Sequence, residues 1–324
     1  MSSLSDIPFV SIIVACRNEG TYIHSCIHSL LHNGYPPDKL ELIIVDGVSS
    51  DDTWGTCEYY RETNPNVKLL SNPKRITPIS WNIGVRESRG EYILIAGAHA
   101  SYPRGYISDL VKASMETGAA NVGGVVVPVP RDSGFLSKLF CIIKSDKFGV
   151  GKSEFRTNCL RGLIPEYVDT VFGGCYKAWV FDEVGYFNEN LVHSQDLVFN
   201  LRLKRAGYKT LLVPWVKVEY FVKSGLRTFY KAAYIDGEWI VIPMLHTSIP
   251  IAGHRIMPLV LLLTLPLSIW PYLLLAFFRS YHLARREKDR RLLFALPWAF
   301  LAYHCIYGAG SFVGLIKVLW RKWK

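Results

Sequence analysis

The first hundred residues alternate short apolar runs with amphipathic stretches, and this alternation constrains the fold more strongly than any other feature. The apolar runs predict strands at 9–15, 41–45, 67–71 and 91–96. Helix-like stretches lie at 20–33, after the polar cluster 49–52, and at 77–88. Strands that alternate with helices form a mostly parallel sheet with helices on both faces. The sequence therefore predicts an α/β fold for this part of the chain.

Polar or small residues follow three of the predicted strands. Cys16-Arg17-Asn18-Glu19 follows the first strand, Asp46 ends the second, and Gly97-Ala98-His99 follows the fourth. Ligands of open α/β sheets bind beyond the carboxyl ends of the strands. We therefore expect a binding site at this edge of the sheet, with Arg17, Glu19 and Ala98 near the ligand.

Asp46 ends an apolar strand, where an unpaired carboxylate would be costly. Its carboxylate can accept hydrogen bonds from a nucleobase or from a ribose hydroxyl. An aspartate before a glycine is also common in turns, where its side chain binds the local backbone. The sequence leaves both interpretations open.

Lys74 and Arg75 lie in a basic turn between the third predicted strand and the next predicted helix. In this position they can face a diphosphate. The alternative is that both side chains are solvated at the surface, and their spacing does not decide between the two.

The later part of the chain predicts loops at 128–175, mainly helix at 176–207, and a basic, aromatic helix at 223–239. Seven scattered cysteines, none of them spaced as CxxC, predict reduced thiols and neither a disulfide framework nor a zinc site. The first residues have no basic region followed by an apolar run, so we expect no signal peptide. We therefore expect the first part of the chain to stay on the cytoplasmic side.

Residues 256–324 carry ten Lys/Arg and two Asp/Glu, or +8 of the formal net charge of +10. Two apolar segments, at about 256–278 and 292–319, are each long enough to span a bilayer, and a buried hairpin is the alternative. If both crossed, the basic linker between them would face outside, so a re-entrant or interfacial arrangement also fits. We expect a catalytic domain at 1–240 and a membrane-associated region at 241–324, whose charge faces lipid headgroups and not nucleic acid.

An ordered set of motifs resembles the family 2 glycosyltransferases and covers nearly the whole chain. The set consists of VSIIVACRNE (10–19), IIVDGVSSDDT (43–53), NPKRITP with the following Asn and Gly (72–84), RGEYIL (89–94), FGVGKSEFR (148–156), VDTVFGGCYK (168–177), EVGYFNENLVHSQDLVFNLRLKRAG (183–207) and YGAGSFVGL (307–315). The subgroup looks like the succinoglycan-type enzymes, which build exopolysaccharide repeats on a polyprenyl carrier. The resemblance implies a GT-A fold, the Rossmann-like fold of nucleotide-diphospho-sugar transferases, with apolar, membrane-associated helices behind it.

The resemblance also implies roles for individual residues. Ala15 takes the position that contacts the nucleobase, and Asp46 would bind uracil or ribose. Asp196, in SQDLVFNLRL, matches the aspartate that acts as the catalytic base. A base is needed because a sugar hydroxyl must lose its proton as it attacks. Taken alone, Asp196 could equally be an acid on a helix surface, and Gln195 stands where the family usually has Glu.

The family carries an acidic motif where this chain has Gly97-Ala98-His99, and the succinoglycan-type subgroup carries Asp-Ala-His. The resemblance implies a divalent cation, Mn²⁺ or Mg²⁺, beside the donor diphosphate. His99 is the candidate ligand, and a hydrogen bond from neutral His99 to phosphate is the alternative. Because Gly97 has no carboxylate, we expect a weakly held cation, with Mn²⁺ preferred. Gly97→Asp should tighten its binding if the backbone accepts a side chain.

These features predict an inverting glycosyltransferase that moves one sugar from a nucleotide-diphosphate donor, with a UDP-sugar favoured, to a polyprenyl-diphosphate-linked saccharide. The alternatives are a polyprenyl-phosphate sugar synthase, which uses the same fold and tail, and a degenerate membrane partner without activity. The second alternative is suggested by the missing acid at Gly97. The QxxRW signature of processive synthases is absent, which disfavours a processive polymer synthase.

Overall fold

The structure, a computed structural model, describes residues 7–151, 153–157, 164–222, 224–245 and 253–323. These residues form two compact units. Unit 1 is built from 7–127 and 164–220, and unit 2 from 128–157 and 221–323. The boundary that the sequence predicts between residues 240 and 241 stays a prediction.

Among the described residues, nine strands form one mixed sheet. They are β1 (Val10–Cys16), β2 (Leu40–Asp46), β3 (Val67–Ser71), β4 (Tyr92–Gly97), β5 (Ala100–Ser101), β6 (Asn121–Pro130), β7 (Glu166–Val168), β8 (Gly174–Lys177) and β9 (Thr210–Val222). The strand order is β3-β2-β1-β4-β8-β6-β9-β5, and β7 also pairs with β9. β1 to β4 are parallel, whereas β8 runs antiparallel to β4 and β6, and β9 antiparallel to β5 and β7. The expected parallel sheet is therefore found in the first four strands, and the remainder is mixed.

Thirteen α-helices lie in the described part of the chain. They are α1 (Ile23–Leu31), α2 (Thr53–Thr63), α3 (Thr77–Glu87), α4 (Tyr106–Thr117), α5 (Phe135–Ser145), α6 (Lys147–Val150), α7 (Glu154–Thr157), α8 (Val180–Val184), α9 (Gln195–Arg205), α10 (Leu226–Val241), α11 (Met257–Leu263), α12 (Leu265–Arg286) and α13 (Arg291–Trp323). Short 3₁₀ turns cover Pro37–Lys39, Ile242–Leu245 and Gly253–Arg255.

Unit 1 has an apolar core on each face of its sheet. In β1, Ile12 and Val14 pack on the face that α1, α2 and α4 cover, and Ile13 packs on the face that α3, α8 and α9 cover. Strands covered on both sides are apolar along their whole length, which is why β1 and β2 appear as continuous apolar runs. The described cysteines are all free thiols, as predicted, and Cys159 lies outside the described residues.

The predicted elements of the first hundred residues are confirmed, and their bounds agree to within a few residues. The prediction that 128–175 is rich in loops misses α5, which forms there from an amphipathic segment with buried Leu139, Phe140 and Ile143. The predicted helical stretch 176–207 contains two helices, α8 and α9, with no helix between them.

Unit 2 is helical, and its longest helix, α13, lies directly against α10. A Cβ on Gly237 of α10 would be 2.0 Å from the carbonyl oxygen of Tyr307, and a Cβ on Gly310 would be 2.0 Å from that of Tyr234. Glycine at these positions therefore lets the two backbones touch. Lys144 of α5 is buried and donates to Asp236 of α10 at 3.1 Å.

The expectation of two apolar segments that could each span a bilayer needs correction. In the described residues one helical segment, Arg291–Trp320, is long and apolar enough to cross a membrane by length and composition. The earlier segment, at about 256–278, is divided between α11 and α12 at Thr264, with a proline in the first turn of each helix. Proline starts helices well but cannot continue the hydrogen bonding of a preceding one.

Candidate active site

The candidate residues of the first two strands lie at the carboxyl edge of the parallel strands. Ala15 of β1 pairs with Val45 of β2 and with Gly97 of β4, and Cys16 pairs with Asp46. The ends of the three strands are therefore adjacent, as the sequence predicts.

Asp46 is buried, and its carboxylate is used within the loop that follows β2. Oδ2 accepts the backbone N–H of Ser49 at 2.9 Å, and Oδ1 accepts the Ser49 hydroxyl. The thiol of Cys16 lies 3.8 Å from Oδ1. Asp46 therefore binds the local turn, as one of the two interpretations predicts. Nucleotide binding would be a second role of the same carboxylate.

The loops after β1 and β2 are joined by hydrogen bonds. The N–H of Gly20 donates to Asp51 at 3.0 Å, and the N–H of Ser50 donates to Asn18 at 2.9 Å. The hydroxyl of Thr53 donates to Asp51 at 2.5 Å, and hydrogen bonds of this kind lower the pKa of that carboxyl. The polar residues 49–52 therefore hold the loop that carries Arg17 and Glu19.

The basic candidates are exposed near this edge. Arg17 lies over Gly47, and a Cβ on residue 47 would be 3.3 Å from the side-chain carbons of Arg17. Lys74 and Arg75 follow β3, whose last residue, Ser71, pairs with Asp46. Neither Lys74 nor Arg75 forms a salt bridge with the residues that the structure describes, so a phosphate group can approach both.

His99 contacts Glu19 from the first loop and Tyr220 from the end of β9. Its Nδ1 is 3.2 Å from Oε1 of Glu19, within ion-pair range although the angles are not those of a hydrogen bond. The Tyr220 ring meets the imidazole edge-on at 4.7 Å. Burial alone would lower the pKa of His99, but attraction to the oxygens of Tyr220 and Glu19 raises it to about 9.

Gly97 and Ala98 offer little side chain to a ligand. The methyl group of Ala98 is buried in the core, so only its backbone can contact a donor. The N–H of Gly97 donates to the Tyr102 hydroxyl at 2.6 Å, and its carbonyl accepts from Tyr102 and Cys26. The backbone of residue 97 is therefore fixed from the interior.

Phe172 fills the space beside Gly97, and sequence reasoning did not identify this residue. Its ring also contacts Tyr220 at 5.5 Å. Gly173 has a φ of +64°, and a Cβ there would lie 2.2 Å from the carbonyl oxygen of Ile95. Glycine at 173 thus lets this segment approach β4 closely, which places the ring of Phe172 next to Gly97. The paired glycines in VFGG (171–174) were the sequence feature that could have indicated this close approach.

The residues around His99 do not fit a cation held by the protein. Among the described residues, no group of three or more His, Cys, Asp or Glu side chains is arranged to hold a metal ion. His99 and Glu19 contact each other, and Gly97 contributes no ligand. Mn²⁺ and Mg²⁺ prefer several oxygen ligands, so His99 as a metal ligand stays a prediction that this geometry does not favour.

Asp196 comes from a different element, the first turn of α9, where a helix N-terminus stabilises a negative charge. A chain of buried amides fixes this helix: Asn121 of β6 donates to Asn200 at 2.9 Å, and Asn200 donates to Thr170 at 3.0 Å. Thr170 lies two residues before Phe172. The adjacent Gln195 has a buried side-chain oxygen with no hydrogen-bond partner among the described residues. The sequence did not indicate the contacts of Asn121, Asn200 and Thr170, because these residues are far apart along the chain.

Polar residues at the carboxyl edge of a parallel α/β sheet are typical of nucleotide-binding folds, and the GT-A-like transferases have one of these folds. Residues 11–178, just over half of the chain, match the family model "Glycosyl transferase family 2". The chain therefore belongs to glycosyl transferase family 2, and it is a glycosyltransferase.

Two relatives show which enzymes the chain is similar to. It is 27% identical, over 95% of its length and 98% of the relative's, to the dolichyl N-acetyl-alpha-D-glucosaminyl phosphate 3-beta-D-2,3-diacetamido-2,3-dideoxy-beta-D-glucuronosyltransferase of Methanococcus voltae. It is 28% identical to the succinoglycan biosynthesis protein ExoA of Rhizobium meliloti (strain 1021), over 66% of this chain and 64% of that protein.

Solved structures share the fold. One is the mannosyltransferase PcManGT from Pyrobaculum calidifontis in complex with GDP-Man and Mn²⁺, with a TM-score of 0.65 at 19% identity. The match covers 97% of this chain and 88% of the PcManGT chain. S. aureus TarS in complex with UDP-GlcNAc has a TM-score of 0.51 at 16% identity and covers 72% of this chain and 66% of its own. At these identities the similarity shows the GT-A-like fold.

Proposed function

We propose that this glycosyltransferase moves one sugar from a nucleotide-diphosphate sugar to a lipid-linked saccharide at the cytoplasmic face of a membrane. The observation that carries the proposal is the similarity to the Methanococcus voltae enzyme, which extends over 95% of this chain and includes the apolar tail. That enzyme is named for a dolichyl-phosphate-linked acceptor. The similarity to a succinoglycan biosynthesis protein supports a role in saccharide biosynthesis.

The proposed reaction is a single displacement. The acceptor hydroxyl attacks the anomeric carbon and forms the new C–O bond, while the bond from that carbon to the diphosphate breaks. Asp196 takes the hydroxyl proton as general base. Because attack and departure occur on opposite faces of the sugar, the anomeric configuration inverts.

The nucleotide end of the donor would lie at the carboxyl edge of β1, β2 and β4. Backbone groups near Ala15 and Ala98 would face the base and ribose, and Asp46 would accept hydrogen bonds from either. The leaving diphosphate gains negative charge, which Arg17, Lys74 and Arg75 would stabilise. The described residues do not fit a cation held by the protein, so these three basic side chains would neutralise the leaving group.

A UDP-sugar is the donor that the sequence favours. The two fold neighbours carry different nucleotides, UDP-GlcNAc and GDP-Man. Thermal shift with UDP and GDP therefore decides the base preference, and stronger stabilisation by GDP would contradict it.

Mass spectrometry of lipid-linked glycans from a strain that lacks this protein tests the proposal. The expected result is an intermediate that is one sugar short, which the wild-type gene but not Asp196→Asn extends to the complete glycan. Loss of a monosaccharide-phosphate lipid would instead indicate a polyprenyl-phosphate sugar synthase. An unchanged glycan profile would contradict both functions.

A further inference from the structure

Helix α12 exposes an apolar stripe along its length. Its buried residues Leu273, Ala276, Ser280 and Leu283 lie on one side. On the other side, at spacings of three or four residues, the exposed residues are Leu267, Trp270, Leu274, Phe278 and Tyr281. Leu267, Trp270 and Leu274 are each more than 70% exposed. A helix on a water-facing surface shows the opposite pattern, and a contiguous apolar patch of this kind marks an interaction site.

The neighbouring helices extend the exposed apolar surface. α11 adds Met257 and Leu263, and the first turns of α13 add Phe294 and Trp298, each of them at least 55% exposed. We call these residues, together with the exposed stripe of α12, the apolar face of unit 2.

The centre of α13 does not belong to this face. Residues 299–311 are buried or half-buried, and the exposed apolar residues of the helix lie nearer its ends. α10 packs against this central part of α13 through the close backbone contacts at Gly237 and Gly310. If α13 crossed a bilayer, its middle would therefore be enclosed by protein, and α10 would have to enter the hydrocarbon with it.

α10 is poorly suited to hydrocarbon because it carries Arg227, Lys231, Asp236 and Glu238. Two of these side chains are joined to other helices of unit 2, Asp236 to Lys144 of α5 and Glu238 to Lys317 of α13. Charged side chains at the centre of a bilayer are costly. A crossing of the membrane by α13 would thus take several of them into the apolar layer.

The connection between α12 and α13 is strongly basic. Residues 285–291, RREKDRR, hold five basic and two acidic side chains. All five basic residues are exposed, and they follow directly on the apolar stripe of α12. Anionic lipid headgroups attract such clusters, while tryptophan and tyrosine favour the same interfacial depth.

We propose that α11, α12 and the start of α13 lie in the plane of an anionic membrane surface and do not cross it. The apolar face enters the boundary between headgroups and acyl chains. The basic connection binds headgroups on the side of the membrane where unit 1 resides. The inference rests on the membrane attachment in the proposed function and specifies its form.

Vesicle binding by the purified full-length protein tests the lipid contact. Binding to phosphatidylcholine vesicles should increase when phosphatidylglycerol is added, and salt should reduce the increase. The double variant Leu274→Glu/Phe278→Glu should weaken binding by at least about tenfold. Met115→Glu, a matched change at an exposed apolar residue of α4, should leave binding unchanged. Thermal unfolding controls for folding of each variant.

A labelling experiment separates lying on the membrane from crossing it. A cysteine introduced as Arg290→Cys should react with an impermeant maleimide from the same side as a cysteine introduced as Glu62→Cys on exposed α2 of unit 1. Reaction from opposite sides would overturn the proposal in favour of a crossing helix. Failure of the wild-type protein to bind either kind of vesicle, or equal binding by the double variant, would also overturn it.

The two proposals fail in distinguishable ways. A protein that transfers sugar but does not bind vesicles through the apolar face refutes the inference and leaves the transferase function in place. A protein that binds vesicles through this face but neither binds nucleotide nor transfers sugar refutes the proposed function.

Discussion

The ring of Phe172 occupies the space that a side chain on Gly97 would need: a Cβ on residue 97 would lie 2.8 Å from Cζ of Phe172. The backbone of Gly97 does not have a positive φ, so its conformation is open to other residues. A side chain at residue 97 therefore requires the ring of Phe172 to move. An acid at 97 and the ring at 172 cannot both be present without a shift.

We expect Gly97→Asp alone to gain less in cation binding than a variant with a free space at 172, because the ring of Phe172 must first move aside. The double variant Gly97→Asp/Phe172→Ala should make UDP affinity depend on Mn²⁺ by roughly tenfold, since it adds an oxygen ligand and the space for it. Calorimetry of UDP with and without Mn²⁺ measures this, and Phe172→Ala is the control. A single Gly97→Asp variant that gains as much as the double variant would show that the ring is no obstacle.

Asp46→Ala should weaken nucleotide binding and also destabilise the loop after β2. Loss of hydrogen bonds to a buried polar group costs about 1–3 kcal/mol. Ser49→Ala provides the matched control, because it removes the hydroxyl bonded to Asp46 and keeps the carboxylate. We expect Ser49→Ala to lower the melting temperature with little effect on nucleotide affinity. If calorimetry shows that Asp46→Ala binds the nucleotide as tightly as wild type, Asp46 has no part in nucleotide binding and only stabilises the turn.

Glu41 should make folding sensitive to acid. It is 1% exposed. Burial alone would raise its pKa, but hydrogen bonds from Ser11, the Arg89 backbone and Lys68 outweigh burial and lower it. A carboxyl with a lowered pKa stabilises the fold fully above its ordinary pKa. The contribution is lost as the pH falls through the folded value.

Glu41→Gln should therefore lower the free energy of unfolding at neutral pH by about 1–3 kcal/mol. The difference from wild type should shrink on acidification, as measured by denaturant titration at a series of pH values. Glu62→Gln, at an exposed ion pair, should have almost no effect. A difference for Glu41→Gln that is constant with pH would contradict the account.

The parallel half of the sheet could be predicted because β1 and β2 are buried on both faces and are therefore mostly apolar. The antiparallel half could not be predicted in the same way. β8 is only four residues long, and the residue before it, Gly173, lies in close contact with the carbonyl of Ile95. That contact joins residues far apart in sequence, and a local pattern does not contain it.

The same distinction holds in the site. Asp46 and His99 follow strands, so their place at the carboxyl edge could be predicted. Phe172 and Tyr220 come from later segments, and only pairing brings them there: Tyr220 of β9 lies opposite Ala100 of β5. The sequence showed that residue 97 is not an acid. Only the structure shows that the ring of Phe172 lies where a side chain at 97 would begin.

Transfer of labelled sugar by wild-type protein and by Asp196→Asn tests the central claim most directly. Membranes that contain the protein are incubated with labelled nucleotide sugars, and the label in the lipid extract is measured beside nucleotide affinity. We predict that wild type labels the lipid fraction. Asp196→Asn should bind nucleotide normally and lose at least about a hundredfold in transfer, the usual contribution of a general base. A variant that retains more than about a hundredth of wild-type transfer would contradict the assignment of Asp196 as the base.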